Sequence, residues 1–188
     1  ILVASMLPYM RQDQKDQPRA PIDTAYIAHQ FWAAGIDRII AMDVHNQAAM
    51  QNSCAALGVN FDHLEARCPL AEAIGFDLPE SVKGDRRVVV LTPDTGATKR
   101  TKRFQETLRW VLQERFQRNI NIGFAHGDKV RLNDTNTEIT TIIEDPSFPI
   151  VNSLVVSPDD ILATGSTYKG IEEAVRSRGG EFFAACVT

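Results

Sequence analysis

Two rhythms of apolar residues alternate along the chain. Short runs rich in β-branched residues, such as Arg38–Val44 (RIIAMDV) and Arg87–Leu91 (RVVVL), read as strands. Longer stretches repeat their apolar residues at helical spacing. The first run, Ile1–Leu7, reads as a buried strand cut short by Pro8. A helix is expected over Pro21–Ala34, with Ile27, Phe31 and Ala34 on one side and Gly35 just beyond it. Residues 46–57 read as a second helix stopped by Gly58, and Val59–Leu64 is ambiguous. A long basic amphipathic helix is expected over 98–117, carrying Phe104, Leu108, Val111 and Leu112 on one side. Strands follow at Ile120–Ala125, Thr137–Ile143 and Ile150–Val156, with Gly127–Asn136 as a polar loop. A helix over Ser166–Arg178 and a buried strand over Glu181–Val187 complete the pattern.

This alternation predicts an α/β fold with mainly parallel sheets and helices on both faces. Pro69, Gly75, Pro79 and Gly84 interrupt the pattern, so a boundary between two α/β units is expected there, giving 1–66 and 67–188. Composition adds little to this. The 188 residues are 44% hydrophobic and 23% charged, which excludes a disordered chain. Twenty Lys and Arg against 24 Asp and Glu leave a net charge of −4, which argues against general nucleic-acid binding. Cys54, Cys68 and Cys186 are widely spaced, which points to reduced thiols and a cytoplasmic setting. No apolar run reaches the length of a membrane span, and no membrane partner is expected. The apolar runs at both ends suggest a stretch cut from something longer.

The densest chemistry lies in residues 154–167, LVVSPDDILATGST. An apolar strand runs into the adjacent carboxylates Asp159 and Asp160, and Thr164, Gly165, Ser166 and Thr167 then open a helix. Unpaired N–H groups at a helix start attract phosphate. Gly165 allows close approach, and the hydroxyls add donors. Carboxylates accept hydrogen bonds from a sugar's vicinal hydroxyls. The alternative for TGST by itself is an ordinary capped turn.

This segment resembles the phosphoribosyl-binding loop of type I phosphoribosyltransferases. Four further segments resemble one family of that fold, the ribose-phosphate pyrophosphokinases (PRPP synthetases). They are YMRQDQKDQPRAPI (9–22), MDVHNQ (42–47), TPDTGATKR (92–100) and GDKVRLND (127–134). All five occur in the family's order, from about residue 5 onward. The resemblance implies parts of two tandem phosphoribosyltransferase-like domains. It also implies transfer of pyrophosphate from Mg-ATP to the C1 hydroxyl of ribose 5-phosphate, giving PRPP and AMP.

On that resemblance Arg11, Gln12, Asp13, Lys15 and His45 would bind ATP. Asp159, Asp160, Thr164, Gly165, Ser166 and Thr167 would bind ribose 5-phosphate. His45 and Asp94 would contact Mg2+, and Lys129 and Arg131 would be catalytic. A homo-oligomer built from dimers, such as a hexamer, is expected. Taken alone, RQDQKD reads as a solvated turn, Asp94 as a turn former after Pro93 and DKVR as a solvated loop. His29, His63 and His126 carry no argued role, and Trp32 and Trp110 are expected in a core or an interface.

The chain departs from the family at four positions. Ala163 stands where the family has Asp, Gln14 replaces a basic residue, Ala97 replaces Gly, and DKVR lacks the middle Arg of DKRR. Ala163 keeps a second hypothesis open, a non-catalytic regulatory subunit associated with a true synthetase. A nucleobase phosphoribosyltransferase, or a PRPP-sensing regulator of that fold, is the third.

Overall fold

The computed structural model describes residues 1–83, 86–131, 138–162 and 164–187, and only the backbone of 83, 129–131 and 138–140. The chain divides between Ala66 and Arg67 into two compact units.

In the first unit three strands, β1 (Leu2–Ala4), β2 (Arg38–Met42) and β3 (Asn60–Leu64), pair in parallel in that order. Helices α1 (Asp23–Ala33) and α2 (Gln47–Ala56) provide the crossovers. Alternation decides which residues are covered. Ile39 and Ala41 of β2 join Ile27 and Ala28 of α1 and Met50 and Cys54 of α2 in one core, with Leu2, Ala4 and Phe61 at its margin. Among the described residues the helices of this unit cover that face alone. Val3 on the other face is 72% exposed, so β1 is not the buried strand its composition suggested. Among the described residues it pairs with β2 alone.

The second unit has a five-stranded sheet in the order β6-β5-β4-β7-β8. Its strands are β4 (Arg87–Thr92), β5 (Ile122–Arg131), β6 (Glu138–Glu144), β7 (Ser153–Pro158) and β8 (Glu181–Cys186). All neighbours are parallel except β5 and β6. Helices cover both faces here, as expected. Val88, Val90, Leu154 and Val156 pack on Phe104, Leu108 and Leu112 of α4 (Thr98–Phe116). Val89, Leu91 and Val155 pack on Ile171 and Val175 of α5 (Ser166–Ser177).

Several expectations are corrected. Residues 127–131 are not loop: they extend β5 and pair with β6, so β6 satisfies the backbone of a polar segment that composition alone reads as a turn. Residues 132–136 of that expected loop lie outside the described residues. The interrupted stretch beside the expected boundary contains a helix, α3 (Arg67–Asp77), despite Pro69 and Gly75. Pro69 falls in the first turn, where an N–H has no intrahelical acceptor in any case. At Gly75 a Cβ would come within 2.5 Å of Val111 Cγ1, so the glycine permits close packing of α3 on α4. The strand expected from Ile150 begins at Ser153, after a turn in which Asn152 takes φ 57. The last strand is half-buried rather than buried.

Candidate functional site

In each sheet the parallel strands point the same way, so loops following them gather at one edge. In the first unit these are the loops after β1 and β2, which carry Arg11, Gln12, Asp13, Lys15 and His45. They are tied together locally. Asn46 caps α2 by accepting from the Ala49 N–H at 3.1 Å, and its side-chain amide donates to the Asp13 carboxylate. The backbone carbonyl of Gln12 accepts from the Thr24 N–H at 3.2 Å, anchoring the same loop to α1. Arg11, Gln12, Lys15 and His45 are exposed at this edge. Asp13 is half-buried and engaged inside the protein, so its observed work is to hold the loop.

His63, without a role in the sequence, has one here. Its Nε2 accepts the Val44 N–H at 3.2 Å and so shapes the turn before His45. Asp43 takes φ 43 in that turn, and its carboxylate accepts the Ala66 N–H at 3.2 Å. Trp32 and Trp110 are both exposed, contrary to a core reading.

The second unit has a topological switch point between β4 and β7. The chain leaves β4 through α4 toward β5, and leaves β7 through α5 toward β8, on opposite sides and opposite faces. Open α/β sheets bind ligands at such a point, outside the strands' carboxyl ends. The loop after β4 holds Asp94, whose Oδ1 accepts the Ala97 N–H at 2.9 Å while Thr92 Oγ1 donates to the Asp94 carbonyl at 2.6 Å. The carboxylate thus shapes the turn, the alternative that PDTG alone left open.

The loop after β7 brings Asp159 and Asp160 together. Arg100, in the first turn of α4, reaches across to both, with Nη1 at 3.0 Å from Asp160 and 3.5 Å from Asp159. Asp160 is 6% exposed and Asp159 19%. Burial, the hydrogen bond with Asp160 and that neighbour's charge push the Asp159 carboxyl up to about 7, against the pull of Arg100. Two buried hydroxyls nearby in the fold, Ser157 Oγ and Tyr168 Oη, have no hydrogen-bond partner among the described residues.

After this pair Gly165 takes φ 75 and begins α5 without a side-chain cap. No acidic residue lies in its first turn, and the Ser166 N–H lies 3.4 Å from Thr164 Oγ1. Thr164 Oγ1 and Ser166 Oγ are 3.0 Å apart, and Thr167 is half-buried beside them. Such a terminus suits an anion, and the neighbouring carboxylates suit hydroxyls. Ala163 lies outside the described residues.

Lys129 and Arg131 lie on β5 opposite Thr140 and Glu138. The last β4–β5 pair is Thr92 with His126, so both positions run past the end of β4, along the ribbon that continues from this edge. Gly127 makes that arrangement possible. A Cβ there would meet the Thr92 carbonyl oxygen at 2.7 Å and that of Pro93 at 3.1 Å. A glycine inside a strand is the sequence signal of such close backbone approach.

Among the described residues, no group of three or more His, Cys, Asp or Glu is placed to hold a metal ion, and no helix is long and apolar enough to cross a membrane. No family model matches the chain. Curated relatives do. The chain is 28% identical over 180 residues to a ribose-phosphate pyrophosphokinase of Fusobacterium nucleatum, covering 96% of itself and 49% of that protein. It is 29% identical to the Clostridium perfringens protein of the same name, with the same coverage. A solved phosphoribosylpyrophosphate synthetase from Mycobacterium smegmatis superposes with a TM-score of 0.69 at 23% identity, over 98% of this chain and 51% of that one. The chain spans about half the length of the relatives it matches. Along nearly all of its own length, it is similar in sequence to ribose-phosphate pyrophosphokinases and has the α/β fold of a phosphoribosylpyrophosphate synthetase.

Proposed function

We propose that this chain takes part in ribose-phosphate pyrophosphokinase chemistry, with Mg-ATP and ribose 5-phosphate as substrates and PRPP and AMP as products. The observation that carries the reading is the Asp159–Asp160 pair beside the uncapped start of α5, at the switch point of the second sheet. The phosphate of the sugar would lie on Thr164, Gly165, Ser166 and Thr167, and its vicinal hydroxyls on Asp159 and Asp160.

The C1 oxygen attacks the β-phosphorus of ATP. The bond from that phosphorus to the α,β-bridging oxygen breaks, AMP leaves with the oxygen, and the proton of the C1 hydroxyl passes to solvent. Such a transfer needs positioning and cations more than covalent help. Lys129 and Arg131 would neutralise charge developing on the moving group, while Arg11, Gln12 and Lys15 bind the nucleotide and Asp13 steadies their loop. The donor set fits a Mg2+ ion carried by the nucleotide's phosphates better than a cage built of protein alone. His45 in the first unit and Asp94 in the second are each proposed as a metal contact, and the ion would supply charge neutralisation. A cytoplasmic homo-oligomer built from dimers belongs to the same reading.

Replacing Lys129 and Arg131 with alanine tests the mechanism. AMP formation should fall by roughly 10²–10³ for each lost cation, with an unchanged circular-dichroism spectrum. Unaltered turnover in the double variant would remove both residues from the chemistry. Ala163 favours a second reading, a regulatory subunit that binds phosphate or nucleotide without turnover. Recovery of AMP formation in Ala163→Asp would identify a weakened synthetase, and continued inactivity with intact binding would favour the regulatory role.

A further inference from the structure

Arg100 sits in an unfavourable place for a cation. It lies in the first turn of α4, next to Lys99, and no acidic residue of that turn offsets the positive end of the helix. Its charge is balanced instead from another element, by Asp159 and Asp160 after β7. The Arg100 side chain is 31% exposed, but the Asp160 carboxylate it meets is 6% exposed, so the cation is committed to carboxylates withdrawn from water rather than to solvent. A residue that opposes its local preference in this way marks a functional position.

Its partners explain the placement. Asp159 and Asp160 are adjacent carboxylates withdrawn from water, and two like charges so placed tend to share a proton. The Asp160 N–H donates to Asp159 Oδ1 at 2.9 Å, and the Asp159 N–H donates to the Cys186 carbonyl at 2.9 Å, so the loop backbone is fixed. Among the described groups around the pair are Arg100 on α4, Tyr168 on α5 and, beside Tyr168, Cys186 on β8. Burial raises the Tyr168 hydroxyl and the Cys186 thiol, so both are neutral at ordinary pH. Arg100 is thus the cation among them.

We propose that Arg100 is the positioning residue of the sugar site, favouring the ionised forms of Asp159 and Asp160 against their burial and aiming both to accept hydrogen bonds from a sugar's vicinal hydroxyls. The inference deepens the sugar-phosphate reading above and rests on it. It also links the two loops of the switch point, because one guanidinium spans the start of α4 and the end of β7.

The test uses the full chain as wild type, Arg100→Gln and Arg100→Lys. Carboxyl carbon NMR follows the titration of Asp159, and calorimetry follows ribose 5-phosphate binding across the same pH range. Arg100→Gln should move the Asp159 midpoint up by about one unit and weaken sugar binding by up to about tenfold near that midpoint. The loss should vanish at higher pH, where both carboxylates ionise unaided. Arg100→Lys should restore most of the midpoint, since it returns the charge without the fork. An unmoved midpoint in Arg100→Gln, or a binding loss equal at every pH, would overturn the proposal. A moved midpoint in a protein that never binds ribose 5-phosphate would uphold Arg100's hold on the pair and overturn the sugar reading.

Discussion

Asp159 shows how one side chain carries both a cost and a use. Its carboxyl is held up to about 7 from an ordinary 3.8, first by burial. The folded state therefore keeps a proton that the unfolded chain has released, and folding stability falls as pH rises between those two values. Asp159→Asn removes this dependence. The melting temperature of the variant should gain on wild type as pH is raised from about 5 to about 8, while ribose 5-phosphate binding is lost. A difference in melting temperature that stays flat with pH would show that Asp159 is not the group responsible.

The helices and strands were legible where one periodicity ruled. α4 and α5 were expected to within a residue at their starts, because apolar spacing and a following turn agree there. α3 was not, since Pro69 and Gly75 break the pattern for reasons that exist only in three dimensions. The end of β5 was hidden for a similar reason: a polar segment becomes a strand when β6 supplies its hydrogen bonds. Arg115 of α4 adds to the α3 contact, donating to the Leu78 carbonyl at 2.8 Å and to that of Gly75. Gly75→Ala would force a methyl against the stiff Val111 side chain. Overpacking costs roughly 1–3 kcal/mol and helix propensity offsets about 1, so a net loss of about 1 kcal/mol is expected from the urea midpoint. An unchanged midpoint would mean that Val111 moves aside freely.

At the scale of the whole molecule, two units each present loops at the carboxyl edge of a parallel sheet. The candidate site was legible in the sequence as five segments in order, because loop chemistry depends on residue type and short spacing. What the sequence could not reveal is pairing between segments: Arg100 with the two carboxylates, Asp13 with Asn46, and His63 with the turn before His45. These partners lie 19 or more residues apart, and only the fold brings them together. They also reassign work, making Asp13 a loop anchor and giving Arg100 a purpose.

The central claim is that these loops serve pyrophosphate transfer to a sugar phosphate. The most direct test is AMP release from Mg-ATP by the protein with its natural termini, with and without ribose 5-phosphate. AMP that appears only when the sugar phosphate is present is the predicted result. ATP breakdown indifferent to the sugar, or no AMP despite binding of both substrates, would contradict it.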